Sequence, residues 1–145
     1  MVVLGEWRVE QDGISRPLVE VGVLIQGCAP LQERFLVDTG ADNTIFSATL
    51  LESLGVPLEN AAVGSLLQGI GGECGSIIVE ATLSLFSVEK VELTIRGNFA
   101  AVVGQSTLDV SILGRDVLSN FDVIVSRRRN EVLILTGNHA YSVTG

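Results

Sequence analysis

The sequence predicts an all-β domain, and three observations carry that expectation. Val, Ile and Thr supply 38 of the 145 residues (20, 10 and 8), the β-branched enrichment that a pleated, half-buried surface favours. Short runs alternate apolar and polar side chains with the period of two that marks a strand with one face in a core. Sixteen glycines fall mostly between those runs, where turns need them. At 145 residues the chain is one domain of ordinary size, able to bury a core without metals or disulfides. Many short strands joined by glycine turns suggest a closed or sandwich-like β fold.

Each element has its own signal. Val2 to Glu10 is a first strand, and Asp12-Gly13 supplies a turn. Leu18 to Ile25 alternates, with Val19, Val21, Val23 and Ile25 on one side and Leu18, Glu20, Gly22 and Leu24 on the other. Arg34 to Val37 is a third run. Ser47 then precedes Leu50, Leu51 and Leu54, with Gly55 and Pro57 behind them. That order of N-cap, apolar stripe and stop signals predicts a short helix. Ile77 to Leu85 and Val88 to Ile95 are expected to pair, and Phe99 to Val103 follows as a separate strand. A second short helix is expected over Arg115 to Asn120, entered from Gly114, before strands at Phe121 to Val125 and Val132 to Leu135. The basic run Arg127-Arg128-Arg129, beside Asn130 and between two apolar runs, reads as a solvated hairpin turn.

Charge and composition narrow the partners. Seventeen acids against nine bases give a net charge of −8, which repels phosphate and speaks against nucleic acid. No run approaches the ~18 apolar residues of a membrane span, and the start of the chain lacks the basic region of a secretory signal. Neither a membrane partner nor export is therefore expected. Cys28 and Cys74 lie outside any CxxC or Cys/His cluster, so no metal and no cofactor is expected. Two free thiols fit a reducing, cytoplasmic setting.

The segment Phe35-Leu36-Val37-Asp38-Thr39-Gly40-Ala41-Asp42-Asn43-Thr44 carries the chemistry. An apolar strand runs straight into a carboxylate, and burying that group is costly unless it is hydrogen-bonded, shared or used. Gly40 allows the backbone to approach it closely. Two further stretches stand in order behind it. Gln68-Gly69-Ile70-Gly71-Gly72 sets one bulky apolar residue among flexible ones, as a mobile hairpin tip does. It is no dinucleotide loop, because the third glycine of that fingerprint falls on Cys74. Val110 to Leu118 is a buried strand that ends at Gly114 before a helix.

Together, the apolar-Asp-Thr-Gly-Ala-Asp start, the Gly-Ile-Gly-Gly tip and the Ile-Leu-Gly-Arg-Asp segment resemble the retropepsin family of aspartic proteases, retroviral and cellular. The resemblance covers roughly residues 18–136, with 1–17 as an N-terminal extension or edge strand and 137–145 as a tail. It implies a closed acid-protease-type barrel with one or two short helices, active as a two-fold homodimer on peptide or protein substrates. Asp38 is the implied catalytic acid, with Thr39 and Gly40 completing the motif. Ala41 and Asn43 would line the substrate cleft, and Gly69, Ile70, Gly71 and Gly72 would cover it as a flap. Asp42, Gly114 and Arg115 would give structural support, the two charged residues as a buried ion pair. Asp116 stands where retroviral relatives often have Asn, which is expected to add negative charge near the site.

Amide hydrolysis by water needs a base and an acid, and two carboxylates sharing one proton supply both. This chain has one Asp-Thr-Gly, and none of Asp109, Asp116 and Asp122 stands in that context. The implied dyad therefore takes Asp38 from each of two chains. The alternative is a catalytically inactive dimeric β-barrel that binds peptides or serves as an assembly module. A serine triad is disfavoured, since His139 is the only histidine and no nucleophile elbow exists. A nucleotide hydrolase would need more basic groups than Arg115 beside the acid.

Overall fold

The alternating runs pair into one large sheet that closes on itself. The computed structural model describes residues 1–59, 61–64, 66–69, 72–103 and 110–137. Among them the strands are β1 (Val2–Val9), β2 (Ser15–Leu24), β3 (Leu31–Val37), β4 (Ile45–Phe46), β5 (Ala62–Val63), β6 (Leu67–Gly69), β7 (Gly72–Cys74), β8 (Ser76–Phe86), β9 (Glu92–Val102), β10 (Ser111–Leu113), β11 (Asp122–Ser126) and β12 (Glu131–Leu135). Helix α1 (Ala48–Leu54) follows β4, and α2 (Arg115–Leu118) follows β10.

The order across the main sheet is β11-β12-β1-β2-β3-β10-β4-β9-β8-β5, and β2 also pairs with β8. That second pairing closes β2, β3, β10, β4, β9 and β8 into a barrel, which removes the edges of its member strands. β10 runs parallel to β3 and β9 parallel to β4; the other barrel pairs are antiparallel. Strands β6 and β7 form a separate two-stranded hairpin.

Strand alternation fills the barrel. Val19, Val21 and Val23 of β2 are buried while Glu20 and Leu24 face out. Phe35, Phe46 and Phe99 meet inside, Phe35 edge-on to Phe46 at 5.9 Å between ring centroids and Phe46 to Phe99 at 5.5 Å. Burying each such side chain contributes about 1.5–3 kcal/mol. Helix α1 closes one side with Leu50, Leu51 and Leu54. Its ends are those the sequence specifies: the Leu50 N–H donates to Ser47 Oγ at 3.1 Å, and Gly55 takes the left-handed conformation at φ 67°.

Three expectations change. The runs Val88 to Ile95 and Phe99 to Val103 are one strand, β9, because Gly97 and Asn98 stay in register opposite Ala81 and Glu80. Val88 instead lies in a tight turn in which the Lys90 N–H donates to the Ser87 carbonyl at 2.9 Å. Helix α2 ends at Leu118 rather than Asn120, since the Asn120 and Phe121 amides close three-residue turns onto Val117 and Leu118. Strand β1 is built into the main sheet, Val2 to Gly5 against β12 and Glu6 to Val9 against β2, and places Val3 in the core.

Candidate active site

Asp38 lies one residue beyond β3, where the barrel wall gives way to a loop. Its backbone N–H donates to the Leu113 carbonyl of β10 at 3.1 Å, so the parallel β3–β10 pairing extends to the acid itself. The half-buried carboxylate accepts the Gly40 N–H on Oδ1 at 2.9 Å. A Cβ at Gly40 would lie 3.2 Å from that oxygen, a close approach that favours glycine. Thr39 is exposed, and its hydroxyl has no hydrogen-bond partner among the described residues.

The rest of the loop is bound to the β10–α2 corner. The Arg115 N–H donates to the Ala41 carbonyl at 2.9 Å, and the Asp116 N–H to the Asp42 carbonyl at 3.2 Å. Gly114 sits against the loop so tightly that a Cβ would overlap the Asn43 carbonyl and come within 2.8 Å of Thr44 N. Its backbone, at φ −95° and ψ −176°, suits any residue. Glycine is needed there for space alone.

Thr44 is a residue that motif reading missed, and the bonds of Asp116 are a role that it did not assign. The fully buried Thr44 hydroxyl accepts the Gly114 N–H at 3.0 Å and donates to Asp116 Oδ1 at 2.7 Å. The same carboxylate oxygen accepts the Thr44 N–H and the Val117 N–H, each at 2.9 Å. Asp116 therefore caps a helix whose N-cap glycine has no side chain to do so. Its carboxylate is an acceptor bound into the scaffold of the loop. The available signals were a threonine directly before the short apolar run Ile45-Phe46 and an acid in the first turn of a helix entered from glycine.

Asp42 and Arg115 pair, as expected, through Oδ1 and Nη2. The pair is not buried: the side chains are 73% and 56% exposed. Such a bridge contributes about 0–1 kcal/mol. The backbone bonds beside it hold the loop. Asn43 is exposed and Ala41 half-buried on the same loop.

Behind β10, the Ser111 hydroxyl donates to Glu33 Oε2 at 2.9 Å and accepts the Ser47 N–H at 3.0 Å. This chain of bonds joins β3, β10 and the start of α1. Burial raises the pKa of the half-buried Glu33, and the Ser111 bond partly offsets it.

A row of apolar residues crosses the barrel at the level of Leu36. Leu18, Leu36, Ile112, Ile45, Ala100 and Ile78 are in register across β2, β3, β10, β4, β9 and β8. Leu36, Ile112, Ile45 and Ala100 are half-buried and Ile78 is exposed. Leu36 stands two residues before Asp38.

The glycine-rich segment forms the β6–β7 hairpin, with Leu67 opposite Cys74, Gln68 opposite Glu73 and Gly69 opposite Gly72. Gly72 has φ 111°. Ile70 and Gly71, expected at its tip, lie outside the described residues, as do Asp109 and His139. Among the described residues, no group of three or more His, Cys, Asp or Glu side chains could hold a metal. No described helix is long and apolar enough to cross a membrane.

Comparison with known proteins gives a consistent picture. Residues 14–126 match the family model described as retroviral aspartyl protease. Among solved structures, a retropepsin-like aspartic protease from Rickettsia conorii aligns over 92% of this chain and 96% of its own, with 18% identity and a TM-score of 0.58. EIAV protease, complexed with the inhibitor HBY-793, aligns over 72% of this chain and 86% of its own, with 23% identity and a TM-score of 0.52. Those identities show a shared fold. No curated protein matches the sequence.

Proposed function

Because the chain belongs to the retroviral aspartyl protease family, we propose that it is an aspartic endopeptidase whose active centre needs two copies of the chain. The observation that carries this reading is Asp38 itself. It is a half-buried acid at the end of a barrel strand, held by Leu113 and Gly40, in the chain's one Asp-Thr-Gly. The neighbouring acids are engaged elsewhere, Asp42 with Arg115 and Asp116 with Thr44 and Val117. A second Asp38 from a partner supplies the missing carboxylate.

In that dimer the two carboxylates share one proton, since like charges at such range do not both ionise. The ionised member takes a proton from water, which attacks the peptide carbonyl. The protonated member donates to the developing oxyanion, and the proton then passes to the leaving nitrogen. Activity falls as rising pH strips the shared proton. Thr39, exposed and unpartnered among the described residues of its own chain, is available to bond across the two-fold axis. The substrate lies extended against the loop at Gly40, Ala41 and Asn43, with the hairpin carrying Gly69 to Gly72 as its cover. Apolar side chains of the peptide would rest on Leu36, Ile112 and Ile45. Asp42, Gly114 and Arg115 hold the loop.

The test is cleavage of a peptide library by wild type and Asp38→Asn across acidic to neutral pH. The variant should keep its fold and lose hydrolysis. Undiminished turnover would remove Asp38 from the mechanism, and peptide binding without turnover by wild type would favour an inactive binding module.

A further inference from the structure

We propose that this site takes cationic peptides, in which Lys or Arg flanks an apolar pair at the cleaved bond. The inference rests on the reading of the Asp38 loop and the β6–β7 hairpin as a peptide-cleaving cleft, and it adds the class of peptide. Charge is distributed unevenly along the chain. Residues 35–79, which include that loop, α1 and the hairpin, hold five acids and no Lys or Arg. Residues 97–114, which lead into the Gly114 corner, also hold no Lys or Arg. Arg115 is the one base of that corner, and it is paired with Asp42. Five of the nine bases lie elsewhere, around Trp7. Arg8 is opposite Arg16 across β1 and β2, and Arg127, at the head of the Arg127-Arg128-Arg129 turn, lies over the Trp7 ring at 5.5 Å.

Two exposed acids, one at the loop corner and one on the hairpin, are left without a counter-charge. Asp116 Oδ1 accepts the Thr44 and Val117 N–H groups and the Thr44 hydroxyl, all neutral donors, so the carboxylate keeps its charge. Glu73 on the hairpin accepts the neutral Gln68 amide at 2.9 Å and keeps its charge too. Neither makes an ion pair among the described residues. Two Asp38 carboxylates sharing one proton leave a further negative charge at the centre. A cleft lined by one sign of charge concentrates substrate of the opposite sign, speeds its arrival and repels its like. The apolar pair follows from Leu36, Ile112 and Ile45, in register across β3, β10 and β4. Those side chains offer burial and no hydrogen bond to the residues beside the cleaved bond.

The test gives the full chain three peptides that differ only in their flanks, Lys, Ser or Glu on both sides of a Leu-Phe pair. At low ionic strength kcat/KM should be about tenfold or more higher for the Lys peptide than for the Glu peptide, with the Ser peptide between them. Raising salt from about 0.01 M to about 1 M shortens the Debye length from about 30 Å to about 3 Å and should erase most of the preference. Glu73→Gln and Asp116→Asn keep an acceptor oxygen and remove the charge, and each should cut the Lys-to-Glu ratio by about threefold. Equal rates, a preference for the Glu peptide, or a Lys preference that survives both salt and substitution would each overturn the proposal. Should Asp116→Asn fail to fold, Glu73→Gln and the salt series decide. If none of the three is cut, the same peptides carrying a fluorophore are titrated against the wild type by anisotropy. Tighter binding of the Lys peptide then upholds the proposal, and equal or reversed affinity removes it. The catalytic reading stands or falls separately, on the peptide library and Asp38→Asn.

Discussion

The Asp38 loop and the β6–β7 hairpin are both glycine-bearing turns, yet the fold treats them oppositely. The loop is fastened from three elements: Leu113 of β10, Arg115 and Asp116 of α2, and the buried Thr44 beside β4. Among the described residues the hairpin's strands pair only with each other, and its side-chain bond from Gln68 to Glu73, at 2.9 Å, is exposed. A catalytic acid needs a fixed position, because small misplacements cost rate. In the proposed function the hairpin is a cover that has to open, and segments that move are drawn from the weakly tied part of a structure. Glycine in the loop makes room for close contacts; in the hairpin Gly72 takes a positive φ of 111° that other residues rarely adopt.

Substitutions that cut the fastenings should therefore matter far more than those in the hairpin. Gly114→Ala should have the largest effect, about 3 kcal/mol or more, because the new methyl group meets the backbone of Asn43 and Thr44. Denaturant titration should show the loss, with activity lost alongside it; unchanged stability would mean that the loop yields easily. Thr44→Val keeps the shape and deletes the hydroxyl, leaving the buried Gly114 N–H without its acceptor. The expected cost is about 1–3 kcal/mol, read by the same titration.

Glu33→Gln probes the brace behind β10 through pH. Burial raises the Glu33 pKa above its ordinary value of 4.5, so the folded chain binds the proton more tightly than the unfolded one. Stability from this group is present below the unfolded value and is lost as pH rises through the folded value. The amide that replaces the carboxyl group cannot ionise and still offers Ser111 an acceptor. The variant should lack that loss and be the more stable protein above the window, as thermal melts across mildly acidic to neutral pH will show. Parallel pH profiles would dissociate Glu33 from the brace. The smallest effect belongs to Gln68→Ala in the hairpin, within about 0.5 kcal/mol. In the wild type the Gln68 and Glu73 amides should exchange before those of β3 and β10.

Much of the barrel was legible from the chain. The valines of β2, the capping signals of α1 and the turn at Arg127 to Asn130 act through local rules of period and conformation, and each stands where those rules place it. The continuity of β9 through Gly97 was hidden, because cross-strand pairing with β8 overrides what a glycine signals locally. Motif order singled out the Asp38 segment, the Gly114 corner and the β6–β7 hairpin, and the first two are bonded to each other. The exposure of the Asp42–Arg115 pair and the link between Thr44 and Asp116 were not readable. They depend on how residues some 70 positions apart approach one another, and spacing along a chain does not encode that. β1 shows the same limit: its own composition marks it as a strand, but only the sheet shows it between β12 and β2.

The most direct trial of the whole account mixes wild type with Asp38→Asn at constant total concentration and lets subunits exchange before peptidase activity is read. If each active centre takes one carboxylate from each of two chains, activity follows the square of the wild-type fraction, so an equal mixture retains about a quarter of the full rate. A straight-line decline, with about half the rate in the equal mixture, would mean that one chain holds a complete centre and would contradict the account.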